Sequence, residues 1–302
     1  MVAVYIASVA RGVHIIDTGG AGFDNTIAAY LVVGQKGSAL LDTGYARCAT
    51  RIVDVLSSVG ITGPDLRYII PTHLHLDHYG GASWLVDHYP QARVLVHEKA
   101  YRHVIDPSRL TSSVRTVYDE SFLAKVGTVK PINEERVGVI HDDEVIDLGG
   151  MTLRSIYAPG HAPHHLVLLI EDVRYVVSAD VFSTRYPFVS IAVPNTPPPN
   201  FDLEEALRSM RRVSELSPRL VLSAHYGTFI PSEEFFSEEA EGYVRWVRGV
   251  EELKRRGLSP EECARVVVNE LERRLGGGSL HPALKNTAKI STIGTYKYLE
   301  ER

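Results

Sequence analysis

The sequence predicts an α/β protein built from two related β-β-α halves facing each other, with a helical tail. Three observations carry that prediction. Strand-type runs precede helix-type runs twice along the chain. Five apolar strand-like runs are each followed closely by aspartate or histidine. Past Pro231 the pattern is helical and charged throughout.

The elements follow in order. Residues 2–16 alternate well enough for one or two strands, which end at Asp17, Thr18, Gly19 and Gly20. Residues 26–33 and 38–41 are strands joined by a hairpin turn at 34–37, and the second ends at Asp42, Thr43 and Gly44. An amphipathic helix covers 47–60, with Gly60 as its stop. Residues 66–70 are apolar and β-prone, as a buried strand is, and 82–89 return to helical spacing. Residues 93–96 form a strand ending at His97 and Glu98. From 101 to 136 polar and aromatic residues mix without a strand pattern, which predicts an inserted helical segment; long connections of this kind are functional or disordered. Strands return at 137–141, 144–148, 151–158 and 175–178. A proline-rich loop, 182–200, carries Tyr186 and Phe188. A helix at 202–216 has Asp202 as N-cap and Glu205 completing a capping box. A strand at 219–223 leads to His225. Helices then cover 232–256, 259–275 and, after three glycines, 282–300. The division expected is a catalytic domain, 1–231, with the insertion 101–136, and a C-terminal extension, 232–302, packed on it.

At 302 residues the chain can bury a large core. Its 32 basic and 37 acidic residues give a net charge of −5, which argues against binding duplex nucleic acid. Cys48 and Cys263 match no metal or redox motif, and such sparse usage points to a reducing, cytoplasmic setting. The apolar start lacks a basic n-region and reads as a strand rather than a signal peptide. No apolar run reaches ~18 residues, so no membrane span is expected. Glutamine is confined to Gln35 and Gln91 while Arg and Glu are plentiful, which leans towards a thermophilic source. The expected partner is a small-molecule substrate, and a homodimer is left open.

The chemistry concentrates after the strand at 66–70. His73, His75, Asp77 and His78 fall within six residues, at the carboxyl end of a strand and the start of a helix, where open α/β folds build their sites. His73 and His75 can point the same way from an extended segment, while Asp77 and His78 face a second point nearby. Imidazole and carboxylate suit Zn, Mn or Fe. The other strand ends deliver Asp42, His161, Asp180 and His225. His14, His88, His97, His103, His141 and His281 lack this context and are taken as structural or exposed.

The pattern His-x-His-x-Asp-His, standing as His73-Leu74-His75-Leu76-Asp77-His78, resembles the signature of the metallo-β-lactamase superfamily. The resemblance extends in order from Asp42 to His225 and implies a four-layer αββα sandwich. It implies that His73, His75 and His161 hold one metal, that Asp77, His78 and His225 hold a second, and that Asp180 bridges them. The cofactors would be two divalent ions, Zn foremost, with Fe or Mn as alternatives. Asp42 resembles the family's first-motif aspartate, which orients a ligand histidine by accepting its other N–H. His164 stands where the family usually has glycine, and both it and His165 lie close enough to His161 to be mistaken for the ligand.

The activity so implied is that of a dinuclear metal-dependent hydrolase. Two cations about 3.5–4 Å apart share a water and lower its pKa from 15.7 to roughly 7, so that a bridging hydroxide attacks the substrate. Asp77 would pass a proton to the leaving group. The superfamily acts on β-lactams, lactones, thioesters and phosphodiesters on one scaffold. The expectation here is ester, lactone or thioester hydrolysis, with weaker action on phosphodiesters, in a pocket drawing on Tyr186, Phe188, Tyr226 and His164. The helical tail also resembles thioesterases of the glyoxalase II type; in that reading Lys254, Arg255 and Arg256 lie at the pocket mouth. A third reading is a metal-binding protein without turnover, against which the complete ligand set weighs.

Overall fold

The computed structural model describes residues 5–302, so residues 2–4 of the first expected strand lie outside the described residues. Seven strands form one mixed sheet in chain order: β1 (Ile6–Ala10), β2 (Val13–Asp17), β3 (Ala28–Gly34), β4 (Gly37–Leu41), β5 (Leu66–Ile70), β6 (Arg93–Val96) and β7 (Val137–Val139). Six form a second: β8 (Val145–Asp147), β9 (Thr152–Tyr157), β10 (Leu166–Ile170), β11 (Tyr175–Ala179), β12 (Leu220–Ser223) and β13 (Thr228–Phe229). The parallel pairings are β4 to β5, β5 to β6, β6 to β7, and β11 to β12. They bring the carboxyl ends of β4, β5, β11 and β12 to one edge.

Side-chain alternation builds four layers. Leu31, Leu40 and Ile69 pack outward with Ile52 and Leu56 of α1 (Ala49–Ser58). Their chain neighbours Tyr30, Leu41 and Ile70 pack inward against Leu166, Leu168 and Val177 of the second sheet. On the far side, Val167, Val176 and Val221 meet the helices that follow β11 and β13. Successive strand residues point to opposite faces. Because both faces are covered, the inner strands are nearly all apolar. That is why β10 escapes the sequence reading: Leu166–Ile170 neither alternates nor carries a turn signal of its own. At two residues, β13 is too short to leave a pattern.

The remaining helices are α2 (Leu76–Tyr79), α3 (Ala82–His88), α4 (Glu98–Ile105), α5 (Ser108–Val114), α6 (Glu120–Val126), α7 (Leu203–Glu215), α8 (Glu233–Arg255), α9 (Pro260–Arg274) and α10 (Pro282–Glu300). The 101–136 segment holds most of α4 together with α5 and α6. Val126 of α6 is buried with Tyr45, Cys48 and Leu76, beside the ligand turns. At α7, Asp202 accepts the Glu205 N–H at 2.9 Å, but the Glu205 carboxylate pairs with Arg208, so the expected capping box forms only in half. A complete box sits at α9, between Ser259 and Glu262. In the tail, Val268, Leu271, Leu284 and Ala288 share a core cluster with Tyr186 and Val193, so apolar contact crosses residue 231. Among the described residues no helix is long and apolar enough to cross a membrane.

Candidate metal centre

The turns after five strands converge on one edge of the sandwich. Two sets of side chains gather there: His73, His75, His161 and Asp180 in one, and Asp77, His78 and His225 in the other. Local packing requires glycine beside them. A Cβ on Gly81 would lie 2.5 Å from the Thr43 carbonyl oxygen, and one on Gly160 would lie 2.3 Å from the Ala206 nitrogen. Asp42, Ala179 and Tyr226 adopt left-handed backbone at φ 56°, 45° and 66°. Strain of this kind persists where the surroundings over-determine it, as at functional sites.

Hydrogen-bond partners fix the tautomers. His161 Nδ1 lies 3.1 Å from the Asn195 carbonyl oxygen, an acceptor only, so Nδ1 carries the proton. His78 Nδ1 donates to the Asp42 carboxylate at 2.8 Å. The Thr72 hydroxyl donates to Asp42 at 2.8 Å, which leaves its oxygen to accept from His73 Nδ1 at 3.2 Å. His73 and His161 therefore turn a bare Nε2 inward, and so does His78 in its neutral form. His73 Nε2, His161 Nε2 and His75 Nδ1 lie 2.8–3.2 Å from one another. Nε2 of His78 is buried without a hydrogen bond, 3.3 Å from Asp180 Oδ2. Converging lone pairs beside carboxylates fit divalent cations of the Zn, Mn or Fe type.

Electrostatics separates the two sets. Burial, reinforced by neighbouring imidazoles, holds His73 well below its ordinary pKa. Burial also lowers His75 and holds His161 well down. In His78 burial works the same way, but Asp42, Asp180 and Asp77 outweigh it and raise the pKa well above the ordinary value. His225 is likewise raised, against burial, by Asp180. Asp180 is held well below the carboxylate range, against burial, by His225, His78 and His161. Its Oδ1 lies 3.1 Å from His225 Nε2, and its Oδ2 lies 3.2 Å from His161 Nε2. One carboxylate thus spans both sets.

A cavity of about 470 Å³ opens above the centre, bordered by His75, Asp77, His161, Asp180 and His225. Its walls draw on Phe23 and Ile27 of the connection between β2 and β3, Leu110, Val114 and Tyr118 of the insertion, Pro197–Pro199 of the loop, and Thr287 and Ile290 of α10. Tyr186 and His164 line it. Burial pushes the His164 pKa down to about 3, so its ring is neutral. Among the described residues Lys125 is the only lysine or arginine lining this cavity. Phe188 and Tyr226 do not line it. Phe188 stacks behind Tyr186 at 5.3 Å. Tyr226, turned by its left-handed backbone, packs beside the core between the sheets. The basic triplet lies elsewhere too: Lys254 donates to the Leu299 carbonyl, Arg255 pairs with Glu251, and neither these nor Arg256 border the cavity. Thr72, Asn195 and His165, whose Nε2 accepts the Asp180 N–H at 3.1 Å, are site residues the sequence did not single out as parts of the centre.

The metallo-beta-lactamase superfamily model matches residues 22–225. A metallo-beta-lactamase fold-containing protein of Sulfurisphaera tokodaii is 30% identical over 224 residues, 73% of this chain and 80% of that protein. The chain belongs to the metallo-β-lactamase superfamily. As such it is a metal-dependent hydrolase. The crystal structure of that same archaeal protein, described under the organism name Sulfolobus tokodaii, aligns with TM-score 0.63 at 26% identity, covering 77% of this chain and 86% of that one. An N-acyl homoserine lactonase of Bacillus cereus is 27% identical over 213 residues, 62% of this chain and 74% of the lactonase. At 19% identity, a superfamily protein of Thermus thermophilus covers 97% of this chain and 95% of its own with TM-score 0.67, a likeness of fold.

Proposed function

We propose that this superfamily member is a dinuclear hydrolase of uncharged esters and lactones. The observation that carries the reading is the Asp180 carboxylate, which spans two convergent ligand sets at the floor of an apolar cavity. His73, His75 and His161 would hold one divalent cation and Asp77, His78 and His225 the other, with Asp180 shared. When bound, the pair supplies a water of pKa near 7 and polarises the carbonyl to be attacked. The protein's own part is orientation and proton handling. Asp42 and Thr72 keep the imidazole lone pairs aimed inward. Asp77, which borders the cavity, would take up the proton released by the attacking water and pass it to the leaving alkoxide. The walls of Leu110, Val114 and Ile290 exclude water and receive the apolar part of the substrate.

A wall with one cationic side chain suits neutral substrates better than nucleotides or an acidic thiol cofactor. The lactonase relative supports the lactone class. Elemental analysis of loaded protein is expected to approach two equivalents of metal, and steady-state rates to rank a lactone and an activated ester above a thioester and a bis-aryl phosphate. A phosphodiester preference of a hundredfold would overturn the substrate class, and a plateau at one equivalent with full activity would overturn the dinuclear reading.

A further inference from the structure

Asn195 lies in the proline-rich loop, is 4% exposed, and touches both ligand sets' shared region without being a ligand itself. Its carbonyl accepts the His161 Nδ1 proton at 3.1 Å, which leaves the His161 Nε2 lone pair facing the centre. Its side-chain amide donates to the Phe182 carbonyl at 2.9 Å and, at 3.4 Å, to Asp180 Oδ1. The amide oxygen accepts from the Thr184 hydroxyl at 2.6 Å, and the Phe182 carbonyl, an acceptor only, fixes which end is nitrogen. The fifth bond leaves the site altogether: the Asn195 N–H donates to the buried Tyr243 hydroxyl of α8 at 3.0 Å.

The next residue is clamped by the same tail. Thr196 donates its N–H to Ser291 Oγ at 3.3 Å and its hydroxyl to the Ser291 carbonyl at 2.8 Å. Thr295 lies 2.9 Å from the Thr196 hydroxyl and receives the Trp246 indole N–H. A Cβ on Gly294 would stand 2.0 Å from the Thr196 carbonyl oxygen, so α10 approaches this strand of loop backbone as closely as glycine permits. Every one of these tail groups is more than sixty residues beyond Asp180, the last ligand of that set.

We propose that Asn195 is a positioning residue through which the C-terminal helices hold His161 and Asp180 in ligating orientation. The inference rests on the metal-centre reading above. Partners outside the coordination sphere typically govern metal affinity by ~10–100-fold.

The test uses the full chain loaded with Co(II), followed by retention against a chelator and by the visible ligand-field spectrum. The parent is expected to hold two equivalents. Asn195→Ala should lose retention by ~10–100-fold with altered cobalt bands. Tyr243→Phe, which keeps the aromatic packing and removes only the acceptor, should shift both readouts in the same direction by less. Leu56→Ala, a core truncation in α1 whose cluster contains no residue of the tail or of the 182–200 loop, should leave the cobalt spectrum as in the parent. The proposal is overturned if Asn195→Ala and Tyr243→Phe retain metal and spectrum like the parent, or if Leu56→Ala disturbs both equally. Should Asn195→Ala fail to fold, Tyr243→Phe decides alone. A parent that takes up no cobalt would overturn the metal-centre reading itself.

Discussion

The two ligand sets share a carboxylate but are built in opposite ways. Around His73, His75 and His161 the supporting contacts are a backbone carbonyl and a threonine hydroxyl, and desolvation keeps the rings neutral. Around His78 and His225, three carboxylates crowd the imidazoles and draw positive charge towards them. The first set offers lone pairs and the second offers negative charge. A cation at the first is held by geometry, and one at the second by Coulomb attraction that protons would otherwise answer.

The largest effect should come from removing what joins the sets. Asp180→Ala is expected to release metal from both and to lower turnover by more than ~100-fold, beyond the range of outer contacts. Metal content and kcat measured on the same preparation check this; a variant that keeps both would dissolve the shared role.

Asp42→Asn sharpens the contrast. Asp42 accepts from His78 Nδ1 and from the Thr72 N–H and hydroxyl, so the amide can no longer serve all of them as acceptor and removes one negative charge. Activity should fall ~10–100-fold, with metal lost first from the charge-rich set. Equal loss from both sets, by titration with a chromophoric chelator, would break the distinction.

Acidity separates the sets in the metal-free chain. His165, beside His73 and His161, is pushed down to about 4 by burial. The folded state then binds fewer protons than the unfolded one, so its contribution is present above the ordinary value of 6.5 and is lost as pH falls towards 4. His78 and His225 are raised, so theirs is present below 6.5 and is lost as pH rises through the folded value. The urea midpoint of apo protein should therefore decline on both sides of about pH 6.5, and His225→Asn should flatten the alkaline limb.

The smallest effect concerns the wall. Leu110→Ala should raise KM about two- to tenfold for an acyl-chain substrate, with kcat nearly unchanged, because uniform binding is what it removes. A matching fall in kcat would move Leu110 from wall to chemistry.

The ligand turns were legible because metals accept few side-chain types and strand ends display them: His73 to His78 are compressed into one turn, and His161, Asp180 and His225 each follow an apolar run. Thr72 and Asn195 were not, since a threonine and an asparagine are common in turns and act here through hydrogen bonds formed only in the fold. Tyr226 misled because sequence proximity to His225 hides a left-handed residue that turns its ring away. The layers were legible from strand and helix order, whereas β10 was hidden by being buried on both faces.

Two of the cavity's walls differ in how tightly they are wired to the chemistry. On α10, Ile290 faces the cavity while the very next residue, Ser291, grips Thr196 beside Asn195. Leu110 and Val114 belong to an insertion that supplies none of the seven ligand side chains. Substitutions that alter substrate range are therefore tolerated unequally: at Leu110 and Val114 they leave the ligand side chains in place, while through α10 they trade selectivity against them. A lineage of such enzymes adapting to new substrates should accumulate its changes in the 101–136 segment first.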